Sequence, residues 1–140
     1  MKIKDQYPVF VSKQLKETRD FYVSRFNFEV YFESSFFVLL KSEGETTHLF
    51  GFIDEIHPSS PPVMPAMTSE SGVFLTLEVD DADAEYTRFL EAGYDIYYHL
   101  KDEPWGQKRF GLTDPNGMYI DIVQQTEPEE HFWDQYMNAE

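Results

Sequence analysis

The sequence predicts an α+β fold in which one pattern, strand–helix–strand–strand–strand, occurs twice along 140 residues. The two predicted helices end at similar dipeptides, Asn27-Phe28 and Gly93-Tyr94, which lie 66 positions apart (27 to 93). A repeat of that length suggests two halves that share a core. A proline-rich stretch separates the halves, and the segment 102–123 reads as a hairpin that closes the second.

The first half begins with a short apolar strand, Tyr7–Val11, and a helix over Leu15–Phe26. That helix places Leu15, Tyr22 and Phe26 on one face, with Phe21 beside them, and Asn27 is a residue that tolerates the left-handed conformation of a helix end. Three strands are predicted to follow: Glu29–Glu33, Phe36–Leu40 and Thr47–Ile53.

The second half repeats this plan after the stretch 54–71, which holds four prolines and no periodicity and is predicted to be a linker or lid. A strand over Val73–Val79 precedes a helix that Asp80 or Asp81 can cap. Gly93 ends the helix, and Ile96–Leu100 is the next strand. The apolar stripe of this helix consists of Ala82, Tyr86, Phe89 and Leu90.

The closing hairpin has a loop, Pro104-Trp105-Gly106, and a tight turn over residues 114–117, DPNG. Asp114 can accept a hydrogen bond from the backbone two residues on, and Pro115 fixes the first central φ. The strands on either side of the turn are Lys108–Thr113 and Met118–Val123. We therefore expect one domain over 1–126, with modules at 7–53 and 72–124, and a helical tail at 127–140.

Composition narrows the possible functions. The chain carries 26 acidic and 11 basic residues, a formal charge of −15, which disfavours nucleic acid as a partner and favours cationic ligands. It has no cysteine, so disulfides and thiol catalysis are excluded. No stretch is apolar enough for a signal peptide or a membrane span, and the expected location is therefore the cytoplasm.

The PWG loop, the DPNG turn and an acid four residues after the turn glycine, Asp121, together resemble the closing hairpin of the vicinal oxygen chelate superfamily. That superfamily contains glyoxalase I, extradiol dioxygenases and bleomycin-resistance proteins, and the PWG element is most similar to the last of these. The resemblance covers about residues 7 to 124. It implies two βαβββ modules that form a curved mixed sheet around a cleft, and a homodimer.

The resemblance also implies where metal ligands would lie in metal-dependent members. Carried over position by position, those places are taken by Tyr7, Phe50 (or Gly51, if the register shifts by one), Phe74 and Asp121. Only Asp121 has a side chain that commonly binds a metal, and the four histidines show no metal-binding spacing. We therefore expect no metal and no other cofactor.

Aromatic side chains at former ligand positions suit a flat or cationic ligand. The resemblance places Trp105 and Gly106 at the mouth of the ligand cleft and Phe36 against the ligand; the alternatives are a loop anchor for Trp105 and an ordinary core residue for Phe36. Asp121 would hold a cationic group or be a solvated remnant. The function expected from the resemblance is metal-free binding of a small molecule, such as a bleomycin-type antibiotic.

Two other functions stay open. One is an enzyme of the same superfamily, a lyase, isomerase or dioxygenase-like protein, that uses a non-standard metal site or acid–base chemistry alone, with Glu103 and Asp121 as an acid–base pair. The other is a sensor of an unknown small molecule.

Overall fold

The computed structural model describes residues 1–44, 46–56 and 65–137. The chain forms two compact units, one of Met1–Ser71 with Asp114–Gly117 and one of Gly72–Thr113 with Met118–Glu140. Each unit contains one four-stranded mixed sheet and one long helix, which confirms the predicted α+β class and the repeated order of elements. The cleft implied by the resemblance stays a prediction.

The first unit contains a sheet whose strands lie in the order β1-β4-β3-β2, with β1 parallel to β4 and the other pairs antiparallel. Its elements are β1 (Val9–Ser12), α1 (Leu15–Phe26), β2 (Glu29–Glu33), β3 (Phe37–Glu43) and β4 (Thr47–Asp54).

Helix α1 and strand β2 have the predicted bounds, and Asn27 ends the helix in the left-handed conformation (φ 58°). Strand β1 begins two residues later than predicted, because Pro8 has no N–H to donate and joins the sheet only through its carbonyl, which accepts from Gly51 N at 2.9 Å. Strand β3 begins at Phe37, one residue later than predicted.

The core of the first unit is a cluster of aromatic rings between helix α1 and the sheet. Tyr22 is fully buried, and the rings of Phe28, Phe50 and Phe52 lie 5.3–5.9 Å from its own. The Tyr22 hydroxyl donates to Asp114 Oδ2 at 2.9 Å, so the DPNG turn belongs to this core. The predicted turn chemistry is confirmed: Asp114 Oδ1 accepts from the backbone N–H two residues on.

The second unit contains a sheet in the order β5-β8-β7-β6, again with the first pair parallel. Its elements are β5 (Phe74–Glu78), α2 (Ala82–Glu91), β6 (Tyr98–Glu103), β7 (Gln107–Thr113), β8 (Tyr119–Gln125) and a single helical turn, α3 (Asp134–Met137).

Helix α2 is capped as predicted: Asp81 accepts from Ala84 N at 3.1 Å, and Gly93 follows the helix with φ 80°. The edge strand β6 continues to Glu103, beyond the predicted end at Leu100, because Lys101, Asp102 and Glu103 also pair with β7. Within the described part of the tail, 127–137, the α-helix is α3 (Asp134–Met137). In the described ranges, no helix is both long and apolar enough to cross a membrane.

Candidate functional site

The second sheet has two chemically different faces. Leucine, isoleucine and phenylalanine side chains on the face toward helix α2 form the core, among them Phe110, Ile120 and Ile122, all at most 2% exposed. The strand register places Thr76, Asp121 and Gly111 in one row on the opposite face. We call this second side the open face; it carries polar and aromatic groups.

A single arginine joins two buried acids on the open face. Arg109 Nε donates to Glu103 Oε2 at 2.8 Å, and Arg109 Nη1 donates to Asp121 Oδ2 at 3.2 Å. The side chains of Glu103 and Asp121 are only 3% and 5% exposed, and that of Arg109 is 26% exposed. Burial lowers the pKa of Arg109, but the hydrogen bonds and charges of the two acids outweigh burial and raise that pKa overall.

Two tyrosines complete the hydrogen bonding of these acids. The Tyr98 hydroxyl donates to Glu103 Oε2 at 2.9 Å, and the Tyr119 hydroxyl donates to Asp121 Oδ1 at 3.1 Å. Burial first, and then the charge of Asp121 and the hydrogen bond to it, raise the pKa of Tyr119. Tyr119 therefore stays a neutral donor at physiological pH, and each carboxylate accepts hydrogen bonds from Arg109 and from one tyrosine.

Aromatic rings enclose the guanidinium. The Arg109 Cζ atom lies 5.1 Å from the centre of the Tyr98 ring and 4.9 Å from the centre of the Trp105 ring, within cation–π distance of both. Glu103, Asp121, Tyr98 and Trp105 thus surround one cation, and we call these four residues the arginine cage.

A row of three rings crosses the open face beside the cage. Tyr119 has ring-centre distances of 6.1 Å to Phe74 and 5.8 Å to Tyr97. Phe74 is 59% exposed and Tyr97 is 76% exposed, so two of the three rings present apolar surface to solvent. We call Phe74, Tyr119 and Tyr97 the aromatic row.

Trp105 is held by its own loop and by the C-terminal segment. Its Nε1 donates to Gln107 Oε1 at 2.9 Å, and its carbonyl accepts from Trp133 Nε1 at 3.1 Å. The ring of Phe132 lies 6.3 Å away. Trp105 is half-buried between Arg109 and this segment, so its loop-anchoring role is visible in the structure, whereas a ligand contact stays a prediction.

Gly106 fixes the path of the chain through this loop. Its φ is 105°, which L side chains rarely adopt, and a Cβ there would lie 2.9 Å from the Thr126 carbonyl oxygen. The Gly106 carbonyl in turn accepts from Thr126 N at 2.8 Å. The glycine therefore allows the C-terminal segment to cross directly over the PWG loop.

The predicted site residues of the first unit lie in different surroundings. Tyr7 is 47% exposed and lines a cavity of about 860 Å³. Phe50 is buried among the rings that face helix α1, whereas a Cβ at Gly51 would contact Phe37 and Leu39. Phe50 is therefore a core residue on the helix side of the sheet, whereas Gly51, the alternative ligand position, faces away from the helix.

The cavity beside Tyr7 is lined by Asp5, Gln6, Tyr7, Pro8, Tyr31, Thr47, His48 and Leu49.

Phe36 also takes part in packing. It contacts the buried cluster formed by Val11, Ile53 and Ala66, on the side of the first sheet away from helix α1. Its carbonyl accepts from Asp54 N at 2.9 Å. These contacts agree with the core alternative for Phe36, and a ligand contact there stays a prediction.

The described residues do not fit a divalent metal. In ranges 1–44, 46–56 and 65–137, no group of three or more histidine, aspartate or glutamate side chains could hold a metal ion. Asp121, the one candidate ligand, has one carboxylate oxygen on Arg109 and the other on Tyr119. His48 and His99 are bonded to Thr46 and Tyr86 instead, and His57 lies outside the described residues.

Sequence reasoning named Glu103 and Asp121 but missed Arg109, Tyr98 and Tyr119. The available signal was strand alternation: Arg109 occupies the side of β7 opposite Phe110, just as Asp121 occupies the side of β8 opposite the core isoleucines. The register between strands, which decides that the arginine reaches both acids, was not readable from one sequence.

Solved structures show the same fold. A glyoxalase/bleomycin resistance protein/dioxygenase from Nocardioides aligns with a TM-score of 0.73 at 16% identity, covering 91% of this chain and 86% of its own. A virulence protein from Salmonella typhimurium aligns at 0.71 with 15% identity, covering 90% and 99%. A lactoylglutathione lyase from Agrobacterium tumefaciens aligns at 0.66 with 16% identity, covering 87% and 94%.

Residues 6–122 match the family described as the Glyoxalase/Bleomycin resistance protein/Dioxygenase superfamily. The chain belongs to this superfamily. No curated protein sequence matches it. These three structural likenesses, at 15% to 16% identity, show the fold alone and do not single out the bleomycin-resistance branch.

Proposed function

We propose that this protein binds a small organic ligand on the open face of the second sheet, without a metal, another cofactor or covalent chemistry. The observation that carries the proposal is that Arg109 supplies the positive charge between Glu103 and Asp121. Of the side chains at the four ligand positions, only that of Asp121 commonly binds a metal. One of its oxygens accepts from Arg109 and the other from Tyr119. A divalent ion would have to displace an arginine that already places a positive charge between the two acids.

The aromatic row is the proposed binding surface. Exposed rings such as Phe74 and Tyr97 are the kind of surface on which a flat ligand stacks. The net charge of −15 favours a ligand that carries positive charge, and a bleomycin-type antibiotic is the specific form of this proposal. Protection would then follow from sequestration alone. A homodimer located in the cytoplasm is part of the same proposal.

Metal content and stabilisation by ligand test this function together. Protein purified without chelator should contain no stoichiometric zinc, nickel, iron or manganese. In a thermal-shift screen, flat cationic compounds should raise the melting temperature, and Phe74→Ala should reduce that shift. Ile56→Ala is the matched control, because Ile56 is 83% exposed and belongs to the first unit. One bound metal per chain that is lost in Asp121→Asn would contradict the proposal.

The second candidate is an enzyme that uses acid–base chemistry. Glu103 and Asp121 favour it, since they are two buried carboxylates within reach of one arginine and two phenol hydroxyls. However, Tyr98, Tyr119 and Arg109 already donate hydrogen bonds to these two acids, so a substrate would have to compete with these donors for either carboxylate. Turnover of any stabilising ligand, followed by mass spectrometry and abolished in Glu103→Gln, would favour the enzyme.

A further inference from the structure

The arginine cage is a complete cation-binding site that is filled by a side chain of the same protein. Carboxylates bind two nitrogens of the Arg109 guanidinium, and the rings of Tyr98 and Trp105 lie at cation–π distance from it. This is the donor and ring pattern by which proteins recognise guanidinium groups.

The parts of the cage are held in place independently of Arg109. Glu103 is fixed by the Tyr98 hydroxyl, and Asp121 is fixed by the Tyr119 hydroxyl. Trp105 is fixed by Gln107 and Trp133. Removing the guanidinium would therefore leave two buried carboxylates and two rings already in position.

The occupant is the one long and flexible member of the site. Arg109 reaches the cage through a four-bond side chain, and that side chain is 26% exposed while the two acids are 3% and 5% exposed. The acids bring two negative charges against one positive charge. The ammonium of Lys101, 3.7 Å from Glu103, is itself 63% exposed and weakly held.

We propose that the cage is a receptor for a guanidinium or amidinium group of a ligand, and that Arg109 is its exchangeable resident. The inference rests on the small-molecule-binding function proposed above and names the chemical class of ligand. The charged group of the ligand replaces Arg109 between Glu103 and Asp121, while its flat portion stacks on the aromatic row. Arg109 then turns outward from the open face.

Arg109 lowers the apparent affinity of the cage for an added guanidinium or amidinium ligand. A tethered competitor is present at a high effective concentration, so the wild-type protein binds a small amidinium more weakly than a protein without the competitor. The proposal therefore predicts that loss of Arg109 increases affinity for this class of ligand.

Benzamidine is a suitable probe, because it combines a flat ring with an amidinium, and benzamide is its neutral counterpart. Isothermal titration should give a dissociation constant at least ~10-fold lower for Arg109→Ala than for the wild type. Benzamide should not bind to Arg109→Ala. The double variant Glu103→Gln/Arg109→Ala should lose the increase in benzamidine affinity. A folded Arg109→Ala that binds benzamidine no better than the wild type, or binds benzamide equally well, would overturn the inference.

The wild-type protein provides a test that does not depend on a variant that folds. The Nε–Hε NMR signal of Arg109 should move toward the position of a solvent-exposed arginine as benzamidine is added. The signal of Arg88, whose Nε–H donates to Glu85 in the same unit, should stay in place and serves as the internal reference. If benzamidine leaves this signal unmoved up to its solubility limit, the cage is not exchangeable. Benzamidine that binds in a titration without moving this signal would leave the proposed small-molecule function intact and refute the exchange alone.

Discussion

The hydroxyl of Tyr22 donates to a carboxylate oxygen of Asp114 at 2.9 Å, and this buried hydrogen bond joins residues 92 positions apart in the sequence. It connects the centre of helix α1 to the DPNG turn, where Asn116 in turn contacts Ser12 and Thr18. The turn is therefore part of the core of the first unit as well as the connection between β7 and β8.

Tyr22→Phe should lower the free energy of unfolding by about 1–3 kcal/mol, because Asp114 loses a buried donor and remains buried. Urea denaturation at pH 7 measures the change. Tyr86→Phe is the matched control: its hydroxyl bonds exposed His99, so its loss should cost less than about 0.5 kcal/mol. Equal effects of the two substitutions would show that the bond to Asp114 is not a main source of stability.

Stability should also fall at alkaline pH because of Tyr22. Burial, followed by the charge of Asp114 and the hydrogen bond to it, raises the pKa of Tyr22 far above its ordinary value of 10.0. The unfolded chain then loses this proton near pH 10 while the folded chain retains it, so stability decreases as pH rises above 10. The slope for one such group is up to about 1.4 kcal/mol per pH unit.

Urea denaturation from pH 8 to pH 11 tests this dependence. Because Tyr22→Phe removes the titrating group, the stability difference between the wild type and the variant should be constant up to about pH 9 and then shrink. A difference that stays constant through pH 11 would mean that Tyr22 ionises equally easily in the folded and unfolded chains.

Gly111→Ala should disturb the open face through Tyr119. A Cβ at Gly111 would overlap the phenol ring of Tyr119, so the ring must move and its hydroxyl must leave Asp121. We expect the free energy of unfolding to fall by about 1–3 kcal/mol, as is typical of overpacking, and ligand binding to weaken. Gly44→Ala is the control, because its nearest neighbour would be 4.0 Å away.

A double variant checks the cause of that effect. In Gly111→Ala/Tyr119→Ala, the ring is absent, and the added methyl group should cost much less than it does beside Tyr119. If Gly111→Ala lowers the free energy of unfolding equally in both backgrounds, contact with the Tyr119 ring is not the cause of the loss.

Removal of the C-terminal segment should expose Trp105. Three interactions connect that segment to the PWG loop: Thr126 N to Gly106 O at 2.8 Å, Glu129 N to Pro104 O at 2.9 Å, and the Trp133 indole to Trp105 O. Trp133→Phe leaves Trp105 as the sole tryptophan and serves as the reference. In that background, truncation after Gln125 should increase acrylamide quenching of Trp105 and shift its emission to longer wavelength.

Unchanged quenching after truncation would show that Trp105 is held by its own loop and by Arg109 alone. The same pair of proteins also tests the predicted ligand contact. If truncation exposes the ring, Trp105→Ala should then lower ligand affinity more in the truncated protein than in the full chain.

The sequence by itself determined the order of elements in the two repeated modules. Both bounds of α1 and β2 are as predicted, whereas one or both bounds of every other strand shift by one to three residues. Helix α1 has its predicted bounds because an apolar stripe precedes a residue, Asn27, that accepts φ of 58°. The DPNG turn was predictable because the chemistry of Asp114, Pro115 and Gly117 is local. The superfamily was recognisable for the same reason, since its motif lies in one short hairpin.

Tertiary structure decided which side chains meet. Arg109 reaches Glu103 because the bulge between Tyr98 and Lys101 sets the register of β6 against β7. It reaches Asp121 because of the register of β7 against β8. A shift of one residue would move every side chain of a strand to the other face, which is also why Phe50 packs toward helix α1 while Gly51 faces the opposite side of the sheet. Such registers depend on contacts between distant residues, and no local pattern in the chain specifies them.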